Sequence, residues 1–305
     1  MSDLALPAAT PGRQAAWSES LAGWMLTLPA VLAYVVLLLL PTLAAIALAF
    51  TDYELGAGGL AWIGLDNFAE LWADRGFRQS LANTLFYVAV VAPGSILGAL
   101  AIALLIEGGA RGRTFFRAVF FLPVVSLTVA MAAAWQYLLH PTIGPLNAAL
   151  RQLGLQGPAW LSDSSMVMWT LAGIGIWENL GFNLVLFLAG LTAIPRELHA
   201  AAEVDGARSA WQRFRLVTWP LLGPTTLFVL TITMIRALRV FDTVKVLTQG
   251  GPNKASEVLL HSMYQEGFTY FRLGYSAAIT LVFLAIVLAL MWLQTRFLDK
   301  RVHYA

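Results

Sequence analysis

The chain has no cysteine among its 305 residues, which excludes disulfide bridges, thiolate metal sites and a cysteine nucleophile. Lysine is scarce as well: of 19 basic residues only Lys245, Lys254 and Lys300 are lysines, and none follows a glycine. A G-x-x-x-x-G-K-[ST] phosphate loop is therefore missing, so this chain is not a P-loop ATPase. Four histidines are scattered and no two carboxylates share an apolar run, which leaves no metal cluster, nucleophile or acid–base pair and argues against an integral-membrane enzyme. Only 12% of residues are charged, against about a quarter in soluble domains. The formal net charge of +2 offers no hold on nucleic acid. No repeat with a period of about 20 to 50 residues is visible.

What fills the chain instead is apolar: 59% of residues are hydrophobic and mean hydropathy is +0.71. Six runs reach the roughly 20 residues needed to cross about 30 Å of hydrocarbon, at residues 23–50, 81–106, 118–139, 166–191, 216–240 and 275–294. The fold class expected is all-α, a polytopic membrane protein of six transmembrane helices. An even number of spans puts both termini on one side. With that side cytoplasmic, the inner segments hold Arg13, Arg111, Arg113, Arg117, Arg196, Arg208, Arg213, Arg215, Arg296, Lys300 and Arg301, while the outer loops hold only Arg75, Arg78, Arg151, Lys245, Lys254 and Arg272. This is the positive-inside bias. Residues 1–20, with Pro, Gly, Ser and mixed charge, read as an unstructured cytoplasmic tail. The first apolar run is too long for a cleavable signal, and Pro29 and Pro41 should kink it or mark its ends.

One charged stretch lies between two of these runs. Residues 194–220, IPRELHAAAEVDGARSAWQRFRLVTWP, carry Arg196, Glu197, Glu203, Asp205, Arg208, Arg213 and Arg215, and central charges cost about 2.5 to 3.5 kcal/mol each on insertion. The stretch must lie in water. Pro195 suits a helix start, the run around Ala200, Ala201 and Ala202 is a good helix former, and Gly206 breaks it. Leu198, Ala201, Ala202 and Asp205 share one face at helical spacing and make a low-relief surface. An isolated segment of this kind would rest on the membrane surface. The form DGA…W-Q-R-F-R…T-x-P, however, resembles the cytoplasmic "EAA" loop of bacterial ABC importer permeases of the carbohydrate, maltose-like type. The resemblance implies a type I importer fold over residues 21–302 and a coupling helix that docks on an ATPase subunit, through Glu197, Ala200, Ala201, Ala202, Glu203, Asp205, Gly206 and Ala207. The signature glutamate of the pattern is replaced here by Ala200, with Glu203 one turn on as its candidate substitute. The spacing from Gly206 to Pro220 is one residue longer than usual.

The outer loops extend the resemblance. G-L-D-N-F in residues 64–68 and FDTVKVLTQGGP in residues 241–252 are similar to segments of the same permeases, whose outer loops face a solute-binding protein. On their own account, Trp62, Leu65, Phe68 and Leu71 read as an interfacial amphipathic element, and Gly250, Gly251 and Pro252 as a turn. Glu178 and Arg236 each stand about 16 residues from the cytoplasmic end of their span, roughly 24 Å up at 1.5 Å per residue. Buried charges at matching depth either pair or face a watery cavity, although Arg236 and Arg239 could also snorkel to the outer headgroups. Asn179, Phe182 and Asn183 add amides and a ring face, the usual chemistry for gripping a polyol. The resemblance places Glu178, Asn179, Phe182, Asn183, Thr233, Arg236 and Arg239 along the translocation pathway, with Trp177 as packing.

The expected function is thus the transmembrane subunit of an ATP-driven, binding-protein-dependent sugar importer in a bacterial inner membrane. The resemblance implies no cofactor and no metal of its own. It implies as partners a second homologous permease, two ATP-binding subunits and an extracytoplasmic binding protein. A glycerol-phosphate or other phosphorylated-polyol importer is the close alternative, since Arg236 and Arg239 offer charge-assisted bonds to phosphate. An ion-coupled secondary transporter is the alternative of another class, and it lacks both a set of coupling acids and symmetry between its halves.

Overall fold

A computed structural model describes residues 13–108, 113–126 and 128–297. Every regular element among the described residues is helical, apart from one isolated bridge between Thr51 and Trp62. The chain begins with α1 (Arg13–Tyr34), so part of the expected tail is helical; residues 1–12 of that tail lie outside the described residues. A π turn, Val35–Leu39, joins α1 to α2 (Leu40–Leu48), and the Leu40 amide reaches back to the Val35 carbonyl. The cause is Pro41, which has no amide to continue the i→i−4 ladder and whose ring would clash with it. A short segment with α3 (Asp66–Ala73) leads to α4 (Arg75–Glu107), a span of 33 residues capped by Asp74, whose carboxylate accepts from the Gly76 and Phe77 amides.

The third apolar run is not one straight rod. It folds as α5 (Arg113–Val125), weakened by an internal Pro123, and α6 (Thr128–Leu138), meeting at 114°. Residues 109–112, which include Arg111 of the basic inner segment, lie outside the described residues. Short α7 (Pro145–Gln152) precedes α8 (Val167–Thr192). The charged loop supplies α9 (Arg196–Val204) and α10 (Ala210–Arg213), then a second π turn, Phe214–Thr218, placed like the first just ahead of a proline, Pro220. After α11 (Trp219–Leu221) and the Gly223–Pro224 pair the axis bends by 67° into α12 (Gly223–Leu238). The chain ends its described course with α13 (Asp242–Leu247), α14 (Leu259–Tyr264), a π turn Gln265–Thr269 and α15 (Leu273–Phe297). Among the described residues four helices are therefore long and apolar enough to cross a membrane, and the count reaches six when each bent pair is one span.

The bundle is organised on α8, which packs along α4 and also against α5 and α12. More than half of its apolar window is buried, 56%, whereas that of the first span is 0% buried. Small residues permit the closeness: a Cβ on Gly181 would overlap the Phe120 carbonyl of α5. One core, with Tyr87, Val91, Leu171 and Val244, fills the end nearer α13; another, with Leu100, Leu184, Phe187 and Leu222, fills the end nearer the charged loop.

Candidate coupling and translocation sites

The charged loop forms a compact two-helix unit. Pro195 stands at the cap of α9 rather than inside it, and its carbonyl accepts from the Leu198 amide. Gly206, at φ +96°, ends the helix. The Ala207 amide then donates to the Ala202 carbonyl at 2.8 Å and the Gly206 amide to Glu203 at 3.1 Å, the paired bonds of a Schellman stop. Burial of Ala207, 5% exposed, locks the turn. Three residues on, Ser209 and Gln212 close a reciprocal capping box that starts α10. Glu197, Ala200, Ala201, Glu203, Asp205 and Gly206 are exposed and Ala202 is half-buried, so the low-relief face points away from the bundle. Leu198, Val204 and Trp211 add exposed apolar area to it. Glu203 is held by Arg213 at 2.9 Å. The residue expected to substitute for the missing glutamate is thus engaged within its own chain. Behind the unit, a cavity of about 640 Å³ runs between Leu100 and Leu104 of α4, Arg196 of α9 and Trp211 and Phe214.

In the middle of the bundle the seven expected pathway residues separate into groups. Asn183 and Thr233 are sealed: Thr233 Oγ1 donates to Asn183 Oδ1 at 3.0 Å, Asn183 Nδ2 donates to Ser95 Oγ at 3.3 Å, and all three are buried. They clamp α4, α8 and α12 together and present no free polar atom to a passing solute in this conformation. Asn179 turns its amide onto the Gly175 carbonyl at 2.8 Å, leaving its buried Oδ1 without a partner. Glu178, Phe182 and Arg236 remain half-buried. The Arg236 guanidinium lies over the Phe182 ring at 4.8 Å, a cation–π contact. Glu178 is coupled electrostatically to Arg236 and Asp242, yet the two forms no ion pair among the described residues. Arg239 is exposed at the end of α12, and Trp177 packs edge-on against Trp135 at 5.4 Å, the packing role expected of it. Sequence reasoning missed Ser95, one of three hydroxyl-bearing residues in the apolar run of α4 with Thr84 and Tyr87, whose only signal was its polarity there.

At the opposite end of α4 the 241–252 segment forms α13 and a turn with Gln249 and Gly250 in the left-handed region. The amide of Asn83 ties the next stretch down, donating to the carbonyls of Glu257 at 2.8 Å and Ala255 at 3.0 Å. Half of the expected amphipathic stripe is buried here, Leu71 and in part Phe68, while Trp62 stays exposed and stacks on Phe50 at 5.4 Å. Burial alone would raise the Asp74 carboxyl, but the Gly76 and Phe77 amides, the Tyr275 hydroxyl and the Lys254 charge more than offset it and hold the group below its ordinary range. Glu266 moves the other way, pushed up by burial against the pull of Arg272.

An all-helical bundle of long apolar spans, broken twice at prolines and carrying an exposed two-helix unit at one end, is the architecture of a transport permease. The chain belongs to the family of binding-protein-dependent transport system inner membrane components, whose model matches residues 109–304. It is 35% identical over 246 residues to the sn-glycerol-3-phosphate transport system permease protein UgpA of Agrobacterium fabrum, covering 80% of this chain and 83% of that one. A probable ABC transporter permease protein of Bacillus subtilis, YurN, is 36% identical over 240 residues, 77% of this chain and 82% of the relative. In fold it matches a chain of a bacterial alginate ABC transporter in complex with a periplasmic protein bound to an alginate pentasaccharide, with TM-score 0.81 and 23% identity over 92% of this chain and 96% of the other. The chain is accordingly a multi-pass inner-membrane permease of an ABC importer, working with a binding protein and an ATPase, and neither an enzyme nor a cofactor carrier itself.

Proposed function

We propose that this permease carries a phosphorylated polyol of the glycerol-3-phosphate class, the reading that the sequence alone ranked second to a sugar. The observation that carries it is Arg236, a half-buried guanidinium within a span that has a ring beneath it and, among the described residues, no carboxylate bonded to it. A charge at that depth with no direct ion pair among the described residues is costly unless an anion visits it, and a guanidinium matches phosphate with paired hydrogen bonds. Arg239, on the next turn and exposed, extends the same positive track. The names of relatives at 33 to 35% identity support the same substrate class. Glu178 favours a second reading, a neutral sugar: beside Phe182 it supplies a carboxylate and a ring face for hydroxyls and C–H groups, and it repels phosphate. In either case α9 docks on the ATPase, and the first span, unburied in its own chain, rests against a second permease, with both termini cytoplasmic.

Uptake by the reconstituted importer with its own binding protein tests the choice. Labelled glycerol-3-phosphate should accumulate, Arg236→Gln should cut that uptake at least tenfold, and Glu178→Gln should spare it. Uptake of an uncharged oligosaccharide instead, abolished by Glu178→Gln and indifferent to Arg236→Gln, would replace this reading with the sugar.

A further inference from the structure

At the end of α4 far from the coupling unit, a cavity of about 220 Å³ opens between the start of α4, the 249–254 turn and the segment following α14. Its charged lining is Asp74, Glu257 and Glu266 against a single cation, Lys254. Phe77, Tyr270 and Tyr275 add aromatic lining, of which Tyr270 is exposed. Glu257 is built into this wall, since its side chain is only 9% exposed. Its Oε1 accepts from the Ser262 hydroxyl at 3.0 Å and is within hydrogen-bond distance of His261 Nδ1 at 2.8 Å. Its Oε2 has no hydrogen bond among the described residues and lies against Gly250, where a Cβ would overlap it. Arg272, the neighbouring cation, bonds Glu70 at 2.6 Å, pairs more loosely with Glu266 at 3.6 Å and covers one face of the Tyr275 ring at 4.4 Å. Three carboxylates against Lys254 and Arg272 leave an excess of negative charge, and the buried carboxylate oxygen without a hydrogen-bond donor among the described residues is Glu266 Oε2.

A bare metal ion does not suit it: among the described residues no three His, Asp or Glu side chains converge on one point, and the volume is many times the ~30 Å³ share of one water. A phosphorylated solute would be repelled. A guanidinium suits it, because five donors on a rigid plane can meet separated carboxylates while the faces stack on aromatic rings. We propose that this cavity receives an arginine side chain of the periplasmic binding protein when that protein docks. The inference rests on the topology proposed above, which puts this end of the bundle outside.

The natural absence of cysteine provides the control for that topology. Lys254→Cys, at an exposed position, should react with a membrane-impermeant maleimide in intact spheroplasts, and the bound binding protein should protect it. Failure to label would refute the topology, and the proposal with it. If labelling succeeds, the complex in nanodiscs is titrated with binding protein: Glu266→Gln and Glu257→Gln should each weaken binding at least tenfold and flatten its salt dependence. Methylguanidinium should compete with the binding protein for wild-type complex. Glu266→Gln, at the more open part of the cavity, keeps the test valid if the Glu257 variant does not assemble. Wild-type affinity and salt slope in Glu266→Gln would overturn the proposal. So would methylguanidinium binding that leaves docking untouched, which would make this a small-cation site.

Discussion

Gly206 carries a constraint that no neighbour imposes. A Cβ there would meet no heavy atom within 4 Å, so space is no obstacle, but φ +96° is a conformation that side chains rarely adopt. Forcing an L-residue into it costs about 1 to 2 kcal/mol, and a β-branched residue is the worst fit. Gly206→Val should therefore distort the turn that sets α9 against α10 while leaving the spans alone. We expect a normal amount of protein in the membrane and several-fold less ATPase retained on purification, with Gly206→Asn intermediate because asparagine tolerates the left-handed region. Full transport and full co-purification in the valine variant would dissociate this turn from coupling. At Glu203 the lesson is different, since its bond to Arg213 joins two partly exposed groups and is worth about 0 to 1 kcal/mol.

At the scale of elements, the Ser95–Asn183–Thr233 clamp joins α4, α8 and α12 where the two cores meet. Removing one member strands another without water, and an unmet buried polar group costs about 1 to 3 kcal/mol. Replacing both facing groups by apolar ones of similar shape can be nearly neutral. Thermal unfolding of the purified complex should thus fall by several degrees in Thr233→Val, and Asn183→Leu with Thr233→Val should lose less than the two singles combined. Additive losses would mean the bond contributes nothing of its own. The same comparison separates this clamp from the pathway, because Arg236→Gln should lower uptake without moving the unfolding temperature.

At the scale of the molecule, the missing phosphate loop and the exposed α9–α10 unit divide the labour of transport between chains. The purified permease, shown free of other subunits, should hydrolyse no ATP in detergent or nanodiscs, measured as phosphate release against an ATPase-containing complex. Release from the permease alone would contradict its place in the family. The unburied first span has the same meaning for assembly: an apolar helix with little packing in its own chain depends on lipid or a second subunit for its neighbours.

Much of this was legible in the chain. Apolar run length and the energetic cost of central charges determine how many segments can cross a membrane and which one must stay in water, and Gly206 marks its own turn, because these are local properties of residues and short windows. The two bends at 114° and 67° lie near prolines that could be read, but their angles depend on what packs on either side. The pathway was the least legible. Asn183 and Thr233 share a polar character with Glu178 and Arg236, and only the approach of α4, α8 and α12 decided which pair bonds directly within the chain and which forms no ion pair among the described residues. Hydrogen-bond partners fifty or more residues apart are a property of packing, and no spacing along the sequence encodes them.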